Sequence, residues 1–427
     1  MKEEILRKIR KCIPQKLFEA GQPIYHFLLA LSATVYYGFP SRKIKVVAVT
    51  GTKGKTSTVE LVNAILEEAG KKTALAGTLR FKIGDNSKPN LYKMTLPGRF
   101  FLQQFLRDAV DAKCEYAIVE ISSEAAKQYR NKFVALNALI FTNLAPEHIE
   151  SHGGYEKYVK AKLSIAKSLQ RSPKKDKAIV VNSDDAEGWR FFETKNVEKI
   201  TFSMKEAENI SLLDEKIKFD YKGVQIESSL SGKFNIYNIL GAIKYAESED
   251  IKLSVIKSAI KKLKEIKGRA EIIKISDKQN FRVVVDYAHT PESLAAIYEA
   301  FVGNPGSRKI IGVLGSCGGG RDKWKRKAMA EIAEKYCEKV ILTDEDPYDD
   351  NPKEIVDDMA KHFVNKKPEI ILDRREAIRE AIKSAKKGDV VIITGKGTDP
   401  YIMRANGEKE KWSDAEVARE ELQKYLV

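Results

Sequence analysis

A β-branched apolar run that leads into a loop of Gly, Lys and Thr constrains this chain more than any other feature. Residues 46–50 read Val-Val-Ala-Val-Thr, residues 51–57 read Gly-Thr-Lys-Gly-Lys-Thr-Ser, and a helical pattern of apolar residues follows from Val59. A strand that delivers a glycine-rich turn to a helix N-terminus forms a phosphate cradle, because backbone N–H groups and the helix dipole face the anion. The spacing is shorter than that of the usual phosphate loop, but it still predicts an ATP site in which Lys55 contacts phosphate and Thr56 holds Mg²⁺.

The bulk composition indicates a folded chain of two or three domains. It has 427 residues, of which 43% are hydrophobic and 32% are charged. The net charge of +15 is compatible with nucleic acid, but the lysines are scattered through helical patterns and no nucleic-acid module is recognisable. A basic surface also suits a polyanionic small substrate. The four cysteines have neither paired nor metal-ligand spacing, which predicts reduced thiols and a cytoplasmic protein.

Short β-branched runs recur between helical patterns, which predicts an α/β fold with mostly parallel sheets. The predicted strands are Lys45–Val49, Tyr116–Glu120, Ala138–Thr142, Ala178–Asn182, Arg282–Asp286, Ile310–Leu314, Val340–Thr343 and Val390–Thr394. We predict a short helical segment at 1–44, a P-loop-type central domain at 45–266 and a Rossmann-like C-terminal domain at 267–427. Residues 201–231 alternate like antiparallel strands and are expected to extend the first sheet.

The segment 24–39 is mostly apolar but is interrupted by His26, Ser32 and Thr34. It is too short to span a bilayer comfortably. The favoured interpretation is a packing helix, and the alternative is contact with a membrane interface.

Polar clusters follow several of the predicted strands. They are Glu120 with Ser122 and Ser123, Glu147-His148 with His152, Asp286-Tyr287-Ala288-His289, the Gly-rich loop 315–326 with Arg321, and Thr394-Gly395-Lys396-Gly397-Thr398-Asp399. A carboxylate at the carboxyl end of a parallel strand, in the same domain as a phosphate loop, is well placed for Mg²⁺. A zinc site at the two histidines is disfavoured, because Pro146 and the glycines at 153–154 interrupt a continuous helix face. Taken singly, each cluster is also compatible with a solvated loop or a helix cap.

Together and in this order, the clusters resemble the Mur ligase family of ATP-dependent amide-bond synthetases, most closely its UDP-N-acetylmuramoyl-tripeptide synthetase type. The resemblance covers about nine tenths of the chain, from Lys45 onward. Its motifs include the phosphate loop, Tyr158-x-x-Ala161-Lys162, Phe234-Asn235-x-x-Asn238, Gly268-Arg269 and Asp286-Tyr287-Ala288-His289-Thr290-Pro291. The ordered set is specific, although each member alone is weak.

The resemblance implies a role for each motif. Nucleotide contacts are implied for Gly51, Thr52, Lys53, Gly54, Lys55, Thr56, Ser57, Asn235, Asn238, Asp286 and His289. Metal contacts are implied for Thr56, Glu120, His148 and a carbamylated Lys162, and catalytic roles for Lys55, His148, Lys162 and Arg269. Substrate contacts are implied for Thr95, Ser122, Ser123, Arg321, Asp346, Tyr348, Gly395 and Asp399. The implied reaction converts the acceptor carboxylate into an acyl phosphate at the expense of ATP, and an incoming amine then displaces phosphate. Its partners would be a nucleotide-sugar peptide and a free amino acid, diaminopimelate or lysine, and the enzyme would act as a monomer.

Three departures from the family pattern stand out. About forty-five residues precede the first strand, where the family has a uridine-diphosphate-binding module of roughly a hundred. The family's Asp-Asn-Pro-Arg motif is replaced by Asp344-Glu345-Asp346-Pro347-Tyr348, so bidentate recognition by its arginine is not expected. Asp349 and Asp350 would better suit a cationic side chain such as that of lysine. The family motifs Gly-Lys-Gly-His-Glu and Ser-Ser-His are also altered, with Thr398-Asp399 and Glu124 at the divergent positions.

Two alternatives stay open from the sequence. One is a ligase similar to folylpolyglutamate synthase, or another Mur-type ligase, that acts on an acceptor without UDP. The other is an ATP-binding scaffold that retains the fold. The intact set of Lys55, Glu120, His148 and Lys162 disfavours the scaffold, because a binding module need not retain the carbamylation lysine.

Overall fold

The computed structural model describes residues 15–147, 149–213, 216–302, 308–320 and 323–426. The first half of the chain contains helices α1 (Gln15–Tyr36), α2 (Lys55–Glu68), α3 (Arg99–Asp111), α4 (Ser123–Lys127), α5 (Ile149–His152), α6 (Tyr155–Gln170), α7 (Gly188–Phe192), α8 (Phe234–Ser248) and α9 (Leu253–Lys262). Its strands are β1 (Lys45–Thr50), β2 (Thr73–Ala76), β3 (Arg80–Ile83), β4 (Asn86–Pro89), β5 (Tyr116–Glu120), β6 (Ala138–Phe141), β7 (Ala178–Asn182), β8 (Glu198–Phe202), β9 (Glu208–Leu213), β10 (Lys216–Tyr221) and β11 (Val224–Ser228).

The second half contains a further series of strands and helices. Its helices are α10 (Pro291–Phe301), α11 (Lys325–Tyr336), α12 (Pro352–Ala360), α13 (Arg374–Ser384) and α14 (Asp414–Leu426). Its strands are β12 (Glu271–Ile273), β13 (Arg282–Val285), β14 (Ile310–Leu314), β15 (Lys339–Leu342), β16 (Glu369–Ile370), β17 (Val390–Ile393), β18 (Tyr401–Met403) and β19 (Lys409–Lys411). Single 3₁₀ turns lie at Pro40–Arg42, Met204–Glu206 and Ala405–Gly407.

The first sheet has eight strands in the order β4-β3-β2-β5-β1-β6-β7-β8. It is parallel from β2 to β8, whereas β3 and β4 form an antiparallel edge. Side chains alternate across it, so Val47 and Val49 pack with α2, α8 and α9 on one face, and Val46 and Ala48 pack with α3 and α6 on the other. Both faces of β1 are therefore buried, and the phosphate loop that follows Thr50 starts from a fixed strand.

The second sheet has six strands in the order β12-β13-β17-β14-β15-β16. It is parallel except for β12, which pairs antiparallel with β13. Helices α10 and α11 cover one face, and α13 and α14 cover the other. The predicted α/β fold with a P-loop-type sheet and a second α/β sheet is confirmed.

The expectation that residues 201–231 extend the first sheet is wrong. Only β8, which ends at Phe202, joins that sheet, and it does so in parallel. Strands β9, β10 and β11 form a separate antiparallel sheet. The apolar side of this sheet, with Ile217, Phe219 and Ile226, packs into the same core as α2 and α8, so hydrophobic burial rather than strand pairing attaches it.

Helix α1 confirms the predicted helix within segment 24–39 and its packing role. Ala30, Ala33 and Thr34 are buried, and the helix lies along α3. The Thr34 hydroxyl donates to the Ala30 carbonyl, which satisfies a polar group inside this contact. None of the helices in the described part of the chain combines the length and apolar character that crossing a bilayer requires.

A buried ion pair joins the two helices on the same side of the second sheet. Arg374 on α13 donates from Nε and Nη2 to the two carboxylate oxygens of Asp414 on α14, at 2.8 and 2.7 Å. The same guanidinium donates to the carbonyls of Asp344 and Thr394, which follow β15 and β17. This side chain therefore connects α14 to the loops that carry the motifs predicted to bind the amino acid.

We expect Asp414→Asn to lower the free energy of unfolding by about 3 kcal/mol, because the buried Arg374 charge would lose its counter-ion. The matched control is Asp357→Asn, which removes one partner of the exposed Lys353–Asp357 pair and should cost less than about 1 kcal/mol. Urea unfolding followed by circular dichroism measures both. Equal losses in the two variants would contradict the role assigned to the buried pair.

Candidate functional site

The phosphate loop is formed by two glycines that approach other segments closely. Gly51 has φ +152°, and a Cβ atom there would lie 1.9 Å from Thr142 Oγ1. Gly54, the N-cap of α2, has φ +80°, and its Cβ would lie 2.1 Å from Asn238 Oδ1. The loop therefore requires glycine at both positions, and its backbone contacts the strand end at 142 and helix α8.

Two lysines that lack full solvation face this loop. The Lys55 ammonium donates to the Thr52 carbonyl at 2.8 Å. Part of the Lys55 side chain is exposed, but the surrounding protein desolvates its ammonium group and lowers the pKa of Lys55. Lys162 on α6 is 1% exposed and donates to the Gly51 carbonyl. Burial, with the neighbouring Lys55 charge, brings the pKa of Lys162 well below its ordinary value. A lysine in this environment is readily neutral and nucleophilic.

Glu120, at the end of β5, is the carboxylate nearest to the start of α2. The Thr56 hydroxyl lies 3.2 Å from both of its oxygens, and the Thr78 amide donates to Oε2 at 2.9 Å. Arg269, which precedes β12, donates from Nη2 to Thr56 Oγ1 at 3.3 Å. The structure thus brings together three of the predicted residues, Thr56, Glu120 and Arg269, from both halves of the chain.

Thr56 and Glu120 fit a magnesium site. Hydroxyl and carboxylate oxygens are the donors that Mg²⁺ prefers, and it is commonly held by one or two such groups together with substrate phosphates. Glu120 is 1% exposed, and its hydrogen bonds come from the neutral Thr56 hydroxyl and Thr78 amide, so its carboxylate oxygens are not held by a direct ion pair among the described residues and suit a divalent cation. No cluster of three or more His, Cys, Asp or Glu side chains suited to a metal occurs within the described ranges. The predicted ligand His148 lies outside those ranges.

Glu147 connects the phosphate loop to the second half of the chain. Its Oε1 lies 3.0 Å from Lys53 Nζ and 3.2 Å from His289 Nε2. The other ring nitrogen of His289, Nδ1, lies 2.7 Å from the Tyr287 carbonyl oxygen. Lys53 and His289 are both predicted nucleotide residues, and Glu147 holds them beside one another.

The residues predicted to contact the adenosine lie next to the loop. Asn238 donates to Asn235 Oδ1 at 2.8 Å, and Asn235 donates to the Ser231 carbonyl at 2.7 Å. Both oxygens of Asp286 accept backbone amides, from Ala270 and Ala288. Burial raises the pKa of Asp286. Asp286 thus holds the backbone directly after Arg269 and directly after Tyr287, and its contact with ribose stays a prediction.

The segments predicted to bind the acceptor lie beyond Glu120. The Thr95 and Thr78 hydroxyls are 2.9 Å apart, and Ser122 caps α4 by accepting the Ala125 amide. Ser123 is buried and lies 3.1 Å from His152 Nε2. Thr78, Thr95 and Ser122 are each partly exposed, so a substrate can reach these residues more readily than the buried Ser123.

The residues predicted to bind the amino acid form a charge network with a lysine that the sequence analysis missed. Asp346 accepts from Lys396 at 2.8 Å and from Lys93 at 2.6 Å, and Lys93 also lies 3.6 Å from Asp399. Burial acts to raise the pKa of Asp346, but the two lysines outweigh this effect and hold that pKa below its usual range. Burial also acts against the charge of Lys396, yet Asp399 and Asp346 raise its pKa.

Tyr348 and Gly395 border this network. Tyr348 has φ +54°, its ring lies 5.8 Å from the Lys93 ammonium, and its amide donates to the Met403 carbonyl. A Cβ on Gly395 would lie 2.4 Å from Glu345 Oε2, a buried oxygen without a hydrogen-bond partner among the described residues. Arg321 lies outside the described ranges. Two cations near it in sequence serve the fold instead, since Lys325 donates to the His289 carbonyl and Arg326 pairs with Asp358.

Comparisons with known proteins agree with this arrangement. Residues 49–246 match the Mur ligase middle domain, and residues 268–397 match the Mur ligase, glutamate ligase domain. The chain is 36% identical over 405 residues to UDP-N-acetylmuramoyl-L-alanyl-D-glutamate–2,6-diaminopimelate ligase of Syntrophomonas wolfei, covering 92% of this chain and 81% of the relative. This chain belongs to the Mur ligase family. The resemblance predicted from the motifs is confirmed, and so is the prediction that the chain is a ligase.

Solved structures of Mur ligases and related enzymes share the fold. The structure of a UDP-N-acetylmuramoyl-L-alanyl-D-glutamate–2,6-diaminopimelate ligase matches with a TM-score of 0.60 and 27% identity, covering 90% of this chain and 79% of that one. Folylpolyglutamate synthase of Mycobacterium tuberculosis, complexed with ADP and AMPPCP, matches with a TM-score of 0.70 and 15% identity, covering 87% and 93%. The second likeness shows the fold alone.

Some residues of this Mur ligase site could not be found from the motifs alone. Lys93 lies two positions before Thr95, but its partners Asp346 and Asp399 are hundreds of positions away in sequence. Thr78 follows a short strand that the sequence analysis did not predict. Glu147 stands in a cluster that the sequence analysis named, but its contacts with Lys53 and His289 depend on the tertiary structure.

We expect Gly54→Ala to weaken ATP binding by at least about tenfold, because the new methyl group would displace Asn238 and distort the loop. Gly70→Ala is the matched control, since Gly70 also has a left-handed φ, +76°, but has no atom within 4 Å of its Cβ position. It should cost about 1 kcal/mol of stability and leave binding unchanged. Isothermal titration with ATP and Mg²⁺ measures both. Equal affinities in the two variants would contradict the proposed nucleotide site.

Proposed function

We propose that this Mur ligase uses ATP to join an amino acid to UDP-N-acetylmuramoyl-L-alanyl-D-glutamate through an acyl phosphate, as a cytoplasmic monomer in peptidoglycan precursor synthesis. The observation that carries the proposal is the pair of desolvated lysines, Lys55 and Lys162, that face one glycine-rich loop beside Thr56 and Glu120. The printed name of the 36%-identical relative gives the acceptor and one candidate amino acid, diaminopimelate.

In the first step, a carboxylate oxygen of the acceptor attacks the γ-phosphorus of ATP, the bond to the β–γ bridging oxygen breaks, and ADP leaves. Lys55 is positioned to exchange its carbonyl contact for phosphate oxygens, and Arg269 reaches the same region from the other half of the chain. These fixed cations would stabilise the charge that develops on the transferred group. Thr56 and Glu120 would hold Mg²⁺, which when bound neutralises the β- and γ-phosphate oxygens.

Lys162 suits the carbamylation that the family resemblance implies. Only a neutral amine adds to CO₂, forming the N–C bond of a carbamate and releasing one proton, and burial favours the neutral form of this lysine. The resulting anion would lie among Lys55, Lys53 and the loop, where a negative charge is compensated. Carbamylation would thus add a carboxylate-like group beside the phosphate cradle at a position where the sequence has a lysine.

In the second step, the neutral amine of the incoming amino acid attacks the acyl carbon and inorganic phosphate leaves. The network of Lys93, Asp346, Lys396 and Asp399, with Tyr348 at its border, is the proposed site for this amino acid. Contacts from Lys93 to Asp346 and from Arg269 to Thr56 bring the two halves of the chain together around the reacting groups. Their closure would exclude water, which would otherwise hydrolyse the acyl phosphate.

The test is phosphate release from ATP and Mg²⁺ with UDP-N-acetylmuramoyl-L-alanyl-D-glutamate or with a peptide acceptor that lacks UDP. Each acceptor is assayed separately with diaminopimelate, lysine, ornithine or no amino acid. We expect release to require both the acceptor and an amino acid, and mass spectrometry to find the acceptor extended by diaminopimelate or lysine. Release only with peptide acceptors that lack UDP would overturn the proposed acceptor and support the alternative stated from the sequence.

Tyr348→Arg tests the amino-acid site within the same assay. A guanidinium at this position would bind the far carboxylate of diaminopimelate, so we expect the ratio of kcat/KM for diaminopimelate to that for lysine to rise by about tenfold. Tyr425→Arg, which adds the same group on α14, is the control. An unchanged ratio in Tyr348→Arg would mean that the side chain of the amino acid is read elsewhere.

For Lys162→Ala we expect loss of turnover by at least about a thousandfold, with partial rescue by formate or acetate, because a small carboxylate can replace the carbamate. Lys162→Arg keeps a positive charge but forms no stable carbamate, and it should be equally inactive without rescue. Lys160→Ala, an exposed position on the same helix, should retain normal turnover. Full activity in Lys162→Ala would refute the carbamate role.

A further inference from the structure

Helix α1 has one apolar face that is exposed and that no other part of the described chain covers. Its inner residues pack on the fold, whereas the opposite side carries a row that we call the outer stripe. The outer stripe consists of Ile24, Tyr25, Leu28, Leu31, Val35 and Tyr36. Leu28 and Val35 are each 57% exposed and Tyr36 is 76% exposed.

The spacing of the outer stripe makes it continuous. Residues 24, 28, 31 and 35 follow the i, i+4, i+7, i+11 repeat of one helix face, and Tyr25 and Tyr36 stand near its two ends. Phe100 on α3 extends it, since its ring lies 6.5 Å from that of Tyr36 and is itself exposed. Isolated exposed apolar residues are ordinary, but a contiguous row of this kind marks a surface that is covered by something else.

The surroundings of the outer stripe are basic. No Asp or Glu occurs between residues 20 and 59. Arg42 lies 4.5 Å from the ring of Phe39, just beyond the helix, and Lys43 beside it is exposed. Near the other end, burial is the main cause that lowers the pKa of His26 on α1, and the charges of Arg99 and Arg130 lower it further. These two arginines therefore lie close to the helix.

These features favour one occupant. A second copy of the chain related by a two-fold axis would bring the arginines around one stripe toward the arginines around the other, which is unfavourable. An anionic bilayer accepts a convex apolar face among its acyl chains and places phosphate headgroups beside the flanking cations.

We propose that the outer stripe of α1 docks this enzyme on an anionic lipid surface, with the helix lying in the plane of the interface. The docked face lies near the segment predicted to bind the acceptor, because Arg130 donates to the Leu96 carbonyl next to Thr95. The acceptor would thus enter beside the lipid headgroups. This proposal does not depend on the identity of the acceptor or of the amino acid.

The experiment is flotation of the full chain with vesicles of phosphatidylcholine alone or with 30% phosphatidylglycerol. We expect the fraction bound to the anionic vesicles to exceed that bound to neutral ones by at least about fivefold and to fall in 0.5 M NaCl. The double variant Leu28→Gln/Leu31→Gln should lose at least about fivefold of this binding. Leu212→Gln/Val364→Gln, which changes two exposed apolar residues elsewhere, should bind as the unmodified chain does.

Equal binding by the two double variants would overturn the proposal. Failure of the unmodified chain to float with either kind of vesicle would also overturn it. Sedimentation velocity would then show whether the outer stripe instead mediates a concentration-dependent dimer that Leu28→Gln/Leu31→Gln abolishes. Amino-acid-dependent phosphate release with dissolved acceptor is measured on both double variants and should be unchanged. A failure of docking is thereby distinguished from a failure of the proposed ligase activity.

Discussion

Desolvation of charge at the carboxyl edge of the eight-stranded sheet is the constraint on which the rest of the structure depends. The surrounding protein desolvates the ammonium groups of Lys55 and Lys162 beside one loop, and their pKa values are lowered in consequence. Glu120 and Glu147 supply the nearby negative charge, and each is itself held by donors from the chain. Charges removed from water in this way are costly unless opposite charges lie nearby, and a bound polyanionic ligand would supply further negative charge to the two lysines.

This constraint explains why the second half of the chain belongs to the site. Arg269 approaches Thr56, and His289 approaches Glu147, so one hydroxyl and one carboxylate near the phosphate loop have partners beyond residue 266. On the acceptor side, Lys93 contacts Asp346. These contacts tie the phosphate cradle to the loops after β13 and β15. A change in the relative position of the two sheets would therefore alter the electrostatics of the cradle itself.

Much of the fold was predictable because the parallel strands are buried on both faces. Tyr116–Glu120, Ala178–Asn182 and Ile310–Leu314 were predicted with the bounds that the structure has. Residues 201–231 were misassigned, because alternation predicts a strand but not the sheet that it joins. The short strands at 73–89 were missed, since they lack a long apolar run. The boundaries proposed for the domains stay predictions.

The sequence by itself determined the phosphate loop, the order of the motifs and hence the Mur ligase family, because these depend on residue types at short spacings. Only the tertiary structure decided which charges meet. The pairs Lys93–Asp346 and Glu147–His289 join residues far apart in the chain, and nothing local specifies them. The low pKa of Lys162 likewise comes from burial, which the motif around it does not encode. Burial and long-range pairing are properties of packing, and packing is set by all the helices and strands together.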